Sequence, residues 1–229
     1  MSTTQTARIE KTADREKWFQ TKHLLNKDDS SWIILDTMPW GGTYKPLTLA
    51  SVSRDSDGLN IYMRSYEKKL RFAGRKRNDF VCQDSCMEFF FAPMGPDNPA
   101  YFNFEVNPIG VMYIGFSKEG TRQSSVQAAA DREDSYFNMK AMSLAQAEAY
   151  NTKNAENSDA YWDVSYSIPF EWIQEHMPEF HPDEPDKKIS ANFYKCGDLT
   201  DTEHYVVWNN IETRRPDYHQ PEFFGILEL

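Results

Sequence analysis

The sequence has 229 residues, 14% of them aromatic with 15 Phe and 12 Tyr, and a formal net charge of -10. That length suits one large all-β domain or two small ones. The acidic balance argues against a general nucleic-acid binder, whose affinity comes from Lys and Arg neutralising phosphates. No apolar run approaches the ~20 residues of a transmembrane helix, so no membrane partner is expected.

Residues 1–30 are polar and charged, with a short helical pattern around Trp18 and Phe19, and read as a lead-in to a domain spanning 31–229. The start lacks the basic-then-apolar order of a secretory signal. With Met1 in place a cytoplasmic location is expected, or a secreted one if a signal has been removed. Cys82, Cys86 and Cys196 do not make a disulfide framework. Cys82 and Cys86 are expected on one strand face, too far apart to bridge easily. All three read as buried free thiols, and no residue is assigned to a metal.

Short β-like runs follow, separated by turn chemistry. The first three cover residues 32–35, 47–52 and 59–66. In the third, alternation puts Leu59, Ile61 and Met63 inward and Tyr62, Arg64 and Tyr66 on the other face.

The next two runs, Asp84-Ser-Cys-Met-Glu-Phe-Phe-Phe91 and Tyr101-Phe-Asn-Phe-Glu-Val-Asn107, read as a hairpin with one oily and one polar face. Met87, Phe89 and Phe91 join Phe102, Phe104 and Val106 on the apolar side. Cys86, Glu88 and Phe90 join Tyr101, Asn103, Glu105 and Asn107 on the other. A one-residue slip would exchange the faces, so only one pairing parity keeps the apolar sets together. That parity sets Phe89 against Phe104 and Glu88 against Glu105. Facing carboxylates need a cation, a proton or a ligand hydroxyl between them, and Arg64 is the expected cation. A hollow of carboxylates, amides and aromatic rings suits a neutral polyol such as a sugar.

A further strand is expected over 111–116, then a Ser-, Ala-, Gln- and Asn-rich insertion over 117–160 with Ser143 placed to cap a helix over 142–150. Strands resume at 161–168, 189–196, 204–208 and 223–229, with a short helix after Pro169. About nine strands and little helix indicate an all-β antiparallel sandwich of jelly-roll type with a short helical insertion. Trp162, Trp172 and Trp208 read as core, and Trp40 in a Gly-flanked loop as an exposed stacking ring. The acidic turn from His181 to Asp186, and Asp198 with Asp201, read as solvated rather than metal-binding.

Five ordered segments carry a resemblance: Asp84-Ser-Cys-Met-Glu-Phe-Phe, Phe102-Asn-Phe-Glu-Val-Asn-Pro-Ile-Gly110, Asn192-Phe-Tyr-Lys-Cys-Gly-Asp198, His204-Tyr-Val-Val-Trp208 and Asp217-Tyr-His-Gln-Pro-Glu-Phe-Phe-Gly225. Together they resemble family 9 carbohydrate-binding modules, and more closely the stand-alone family 9-like proteins of the DOMON-like superfamily. The resemblance implies a β-sandwich that binds a mono- or oligosaccharide without cleaving it, in a carbohydrate catabolic setting, with a separately encoded glycoside hydrolase as a candidate partner. In the xylanase-attached members two aromatic rings clamp a terminal sugar and polar side chains bond its hydroxyls. The matching positions here are Glu88, Asn107, Tyr194 and, for one clamp ring, Tyr218 beside His219. The second clamp position falls at Val81, next to Phe80, and a cationic sugar contact falls at Glu105. The modules also hold structural calcium, for which the sequence offers no clean set of oxygen ligands.

The expected sugar-binding set is therefore Glu88, Asn103, Glu105, Asn107, Arg64, Tyr194, Tyr218, His219 and Trp40. Two alternatives stay open. One is a glycoside hydrolase with Glu88 and Glu105 as its acid and base. The other is a DOMON-like haem or cofactor binder using His204, His219 or a Met as axial ligand.

Overall fold

The apolar residues of the central hairpin form the middle of one sheet, and their rings meet those of a second sheet. The structure is a computed structural model that describes residues 4–121, 125–128, 132–153, 159–185 and 187–229. In chain order the first strands are β1 (Thr6–Arg8), β2 (Glu10–Lys11), β3 (Ile33–Leu35), β4 (Thr48–Arg54), β5 (Gly58–Ser65) and β6 (Cys86–Ala92). There follow β7 (Tyr101–Val106), β8 (Met112–Ser117), β9 (Ser125–Gln127), β10 (Trp162–Pro169), β11 (Lys188–Cys196), β12 (Tyr205–Val207) and β13 (Gly225–Glu228). The helices are α1 (Arg15–Leu24), α2 (Leu144–Lys153) and α3 (Phe170–His176).

The larger sheet runs β1-β13-β11-β6-β7-β8-β9, with β12 also on β11, and the smaller runs β10-β5-β4-β2, with β3 also on β4. The hairpin register is the expected one: Phe89 opposes Phe104 and Glu88 opposes Glu105. Met87, Phe89, Phe91, Phe102, Phe104 and Val106 enter the main core with Leu59, Ile61 and Met63 of β5. The Phe104 ring stacks on Tyr166 of the opposite sheet with centroids 5.7 Å apart. Trp172 of α3 reaches both Phe102 and Phe104. Each fully buried Phe contributes about 1.5–3 kcal/mol of hydrophobic transfer energy. Trp162, Trp172 and Trp208 are buried in this core as expected.

The sandwich is not wholly antiparallel: β1 pairs parallel with β13, and β2 parallel with β4. Residues 6–11 thus add an edge strand to each sheet. Next, α1 begins at Asp14, whose carboxylate accepts from the Lys17 N–H. It buries Trp18 and Phe19 against Trp32 and Tyr62 on the outer face of the smaller sheet. Ser143 caps α2 in a reciprocal capping box with Gln146. The described residues of this insertion bring no second core, because Phe137 and Tyr150 join the main one.

One edge of β11 is shared end to end. Its first half pairs with β13 and its last three residues with β12. The chain between β12 and β13 is therefore free to fold over the outer face of the larger sheet, where the polar side of the hairpin lies.

Candidate functional site

The outer face of the larger sheet carries a cleft of about 160 Å³. Its wall includes Glu88 and Phe90 of β6, Glu105 of β7, Cys196 and Asp198 at the end of β11, Tyr205 of β12 and the loop Asp217, Tyr218 and His219. Strand alternation explains the sheet part of the set: Glu88 and Phe90 share a face with Cys86, Glu105 lies opposite Glu88 and Cys196 opposite Cys86. The loop is shaped by Asp217, which accepts from the His219 N–H and from the Gln220 amide.

Four expected residues meet here: Glu88, Glu105, Tyr218 and His219. Asn103 lies beneath them, fully buried, and donates to Glu105 Oε1 at 3.0 Å. Its opposite neighbour is Gly115, where an added Cβ would sit 2.3 Å from Asn103 Oδ1. Glycine is required there for close approach rather than for conformation. His219 Nδ1 bonds the Tyr101 hydroxyl at 2.6 Å, and its ring meets Phe90 edge-on.

The other expected contacts lie elsewhere. Arg64 does not reach the two glutamates, because its strand belongs to the opposite sheet and its polar side is that sheet's outer face. Its guanidinium donates to the carbonyls of Lys22, His23 and Leu25 at the end of α1 and covers the Tyr161 ring. Asn107 is fully buried, with its amide donating to Gly74 and Asp84 and its carbonyl accepting from Ile109 and Val111. It holds a loop rather than lining the cleft. Tyr194 is fully buried beneath Tyr218, and its hydroxyl donates to the Tyr218 carbonyl. Trp40 is not an open platform, since its indole N–H donates to Thr213 and its ring packs on Tyr205 and Tyr218.

Tyr218 has aromatic neighbours on several sides and is 7% exposed. Burial, with nearby Cys196 and Glu88, raises its phenol pKa well above the ordinary range, so the hydroxyl stays a donor, here to the Lys195 carbonyl. Val81, at the second clamp position, is fully buried, while Phe80 before it is 72% exposed. Cys82 sits in a short 3-10 turn, Val81–Gln83, rather than on the strand with Cys86, and is half-buried. The tip of that turn is tied to the other wall by Asp198 N–H donating to the Cys82 carbonyl. Of the suspected solvated acids, Asp198 lines the cleft, Asp201 pairs with Lys69 and Asp183 with Arg54. Asp186 lies outside the described residues.

Tyr205 is the cleft ring that sequence reasoning passed over. The signal was its parity: it pairs with Cys196 and so shares the outer face with Glu88. Behind the cleft, the alternate residue Lys195 points inward. Its Nζ lies 3.2 Å from Glu67 Oε2 and 2.7 Å from His204 Nε2. Glu67 also accepts from Ser85 and Trp162. Burial and then the Lys195 charge push the His204 pKa down to about 3, and its Nδ1 faces the Thr202 carbonyl. Both ring nitrogens are engaged inside the protein, which removes His204 as a haem ligand.

Residues 19–229 match carbohydrate-binding family 9. The chain belongs to that family. Among solved structures, it resembles a Bacteroides uniformis ATCC 8492 protein assigned provisionally to carbohydrate binding, with 22% identity, TM-score 0.74 and 99% of each chain covered. It also resembles a family 9 module from Caldicellulosiruptor kristjanssonii solved with glucose, with 10% identity, TM-score 0.56, and 98% of this chain and 95% of that one covered. The same organism's module solved with cellotriose gives 10% identity, TM-score 0.57, and coverage of 98% and 93%. These likenesses establish a shared sandwich fold. No curated protein matches the chain.

The calcium that a family 9 resemblance implies finds no matching cluster of side chains among the described residues. Among the described residues, the only converging group of three acidic, imidazole or thiol ligands is Cys86, Glu88 and Cys196. Two sulfurs and one carboxylate do not suit a hard, oxygen-seeking cation.

Proposed function

We propose that this family 9 chain is a non-catalytic carbohydrate binder that seats a sugar in the cleft on the outer face of its larger sheet. The observation that carries this reading is the in-register pair Glu88 and Glu105 at the base of a cleft walled by Phe90, Tyr205 and His219. Directly opposed strand residues have Cβ atoms about 4.5–5.5 Å apart. Two carboxylates carried from such opposed positions offer a dense set of acceptors, and sugar hydroxyls donate to such acceptors. The cleft size of about 160 Å³ suits one end of a saccharide rather than a long chain. Complexes of the Caldicellulosiruptor module with glucose and cellotriose support a ligand of that class. A carbohydrate catabolic setting, with a separately encoded hydrolase, belongs to the same reading and rests on family membership alone.

Calorimetric titration with glucose and cello-oligosaccharides tests it. Glu88→Gln and Glu105→Gln should each weaken binding at least tenfold, about 1.4 kcal/mol, and Arg64→Ala should leave it unchanged. Unaltered affinity in both glutamate variants would remove the cleft as the site. Turnover of aryl glycosides that vanishes in Glu105→Gln would replace the binder with a hydrolase.

A further inference from the structure

The cleft floor holds two thiols that sugar recognition leaves unused. Cys86 and Cys196 face each other directly across the β6–β11 ladder. Glu88, two residues along the same face, brings a carboxylate to them, and Cys196 Sγ lies 2.9 Å from Glu88 Oε1. The two sulfurs and the carboxylate oxygen lie within 4.8 Å of one another. Tetrahedral zinc, with sulfur at ~2.3 Å and oxygen at ~2.0–2.2 Å, needs ligand atoms somewhat under 4 Å apart. Small side-chain rotations close that gap. All three residues come from the paired strands β6 and β11, Cys86 at the start of one and Cys196 at the end of the other, so the ladder holds the backbone in place. Cys196 and Glu88 also line the cleft, whereas Cys86 is behind them.

We propose that Cys86, Cys196 and Glu88 form a binding site for a thiophilic divalent cation of the zinc type, with its fourth coordination position facing the cleft. Sulfur donors select such ions over calcium and magnesium. Three protein ligands with one open position are the arrangement that lets a bound ion contact a further molecule. The third thiol, Cys82, lies on the cleft wall but outside the converging trio, so it is not a required ligand. The proposal shares Glu88 with the sugar reading but is tested apart from it, on the protein without saccharide.

Cobalt titration of tag-free, chelator-treated, reduced protein tests it, because thiolate ligands produce an intense near-ultraviolet charge-transfer band. One equivalent of Co²⁺ should generate the band, and Zn²⁺ but not Ca²⁺ should abolish it. Cys86→Ser and Cys196→Ser should each remove most of it, Glu88→Gln should weaken Co²⁺ binding tenfold or more, and Cys82→Ala should leave it unchanged. No band with the unmodified protein overturns the proposal, whatever the variants do. So does a band that survives the double Cys86→Ser, Cys196→Ser change, or one displaced by Ca²⁺. Far-ultraviolet circular dichroism checks folding, and if the double variant is unfolded the unmodified protein and Cys82→Ala still decide the matter.

Discussion

The phenol ring of Tyr218 lies flat on that of Tyr194, with centroids 4.0 Å apart and planes 5° from parallel. Tyr194 comes from the middle of the larger sheet and Tyr218 from the loop that folds over it. The stack therefore fixes one wall of the cleft to the sheet, and each hydroxyl adds a bond to a backbone carbonyl, Tyr218 to Lys195 and Tyr194 to Tyr218. Tyr218→Phe should keep the stack and lose one hydrogen bond, lowering stability by about 1 kcal/mol with sugar affinity within twofold. Tyr218→Ala should cost about 3–5 kcal/mol and weaken binding as the wall loosens. Urea unfolding and calorimetry separate the two effects.

Gly115→Ala should reach the cleft without touching it. The new methyl would collide with Asn103 Oδ1, and Asn103 is the buried donor to Glu105. Overpacking of this kind typically costs about 1–3 kcal/mol. Sugar binding should fall roughly tenfold because Glu105 loses its orientation, about 1.4 kcal/mol. A stability loss with unchanged affinity would show that Glu105 does not depend on Asn103.

Acid should destabilise the protein through His204. Its folded pKa of about 3 lies below the ordinary imidazole value of 6.5, so the unfolded chain binds the extra proton first. The stability it contributes is full above pH ~6.5 and is lost as the pH falls toward 3. At 1.36 kcal/mol per pKa unit the loss amounts to at most about 5 kcal/mol. Asp55, whose pKa is lowered to about 2 despite partial burial by bonds from Arg15 and Asn60, adds its own loss only below pH ~4. Unfolding free energy measured from pH 7 to 4 should therefore slope downward, and His204→Gln should flatten that slope.

Arg64→Ala should remove the guanidinium donor from three carbonyls at the end of α1, of which that of Lys22 keeps the Leu25 N–H. The group is buried, so a loss of about 2–4 kcal/mol is expected from unsatisfied acceptors and lost packing. Arg64→Lys should recover only part, since one ammonium cannot reach all three carbonyls in the geometry of the fork. Hydrogen exchange concentrated in residues 15–25 would place the effect in α1.

Lys195→Met should be as damaging as Tyr218→Ala. It leaves the Glu67 carboxylate buried without its ion-pair partner, a change that typically costs about 3–5 kcal/mol. The double change Lys195→Met with Glu67→Gln should recover part of the loss in thermal unfolding.

How far these features could be read beforehand depended on length and periodicity. Seven or eight alternating residues in β5, β6 and β10 carry a clear two-residue period, and the Phe89–Phe104 and Glu88–Glu105 register followed from it. β1, β2 and β9 have two or three residues each, too few to show a period, and form only because longer strands present open edges. Among the candidate residues, the cleft-facing position of Glu88 and Glu105 was legible because alternation determines a face. Arg64, Asn107 and Trp40 were misplaced because alternation does not say which sheet a face belongs to or which loop will cover it.

The order of residues alone therefore determined the longer strands, their inner and outer faces and the pairing of the two glutamates, since these depend on contacts between near neighbours in the chain. Tertiary structure alone decided that Arg64 would end up on the far sheet, that Tyr218 would close over Tyr194, and that Cys86 and Cys196 would meet beside Glu88. Those outcomes join residues as far apart in the chain as Cys86 and Cys196. They depend on the order of strands in the sheets and the path of one loop, which no local pattern encodes.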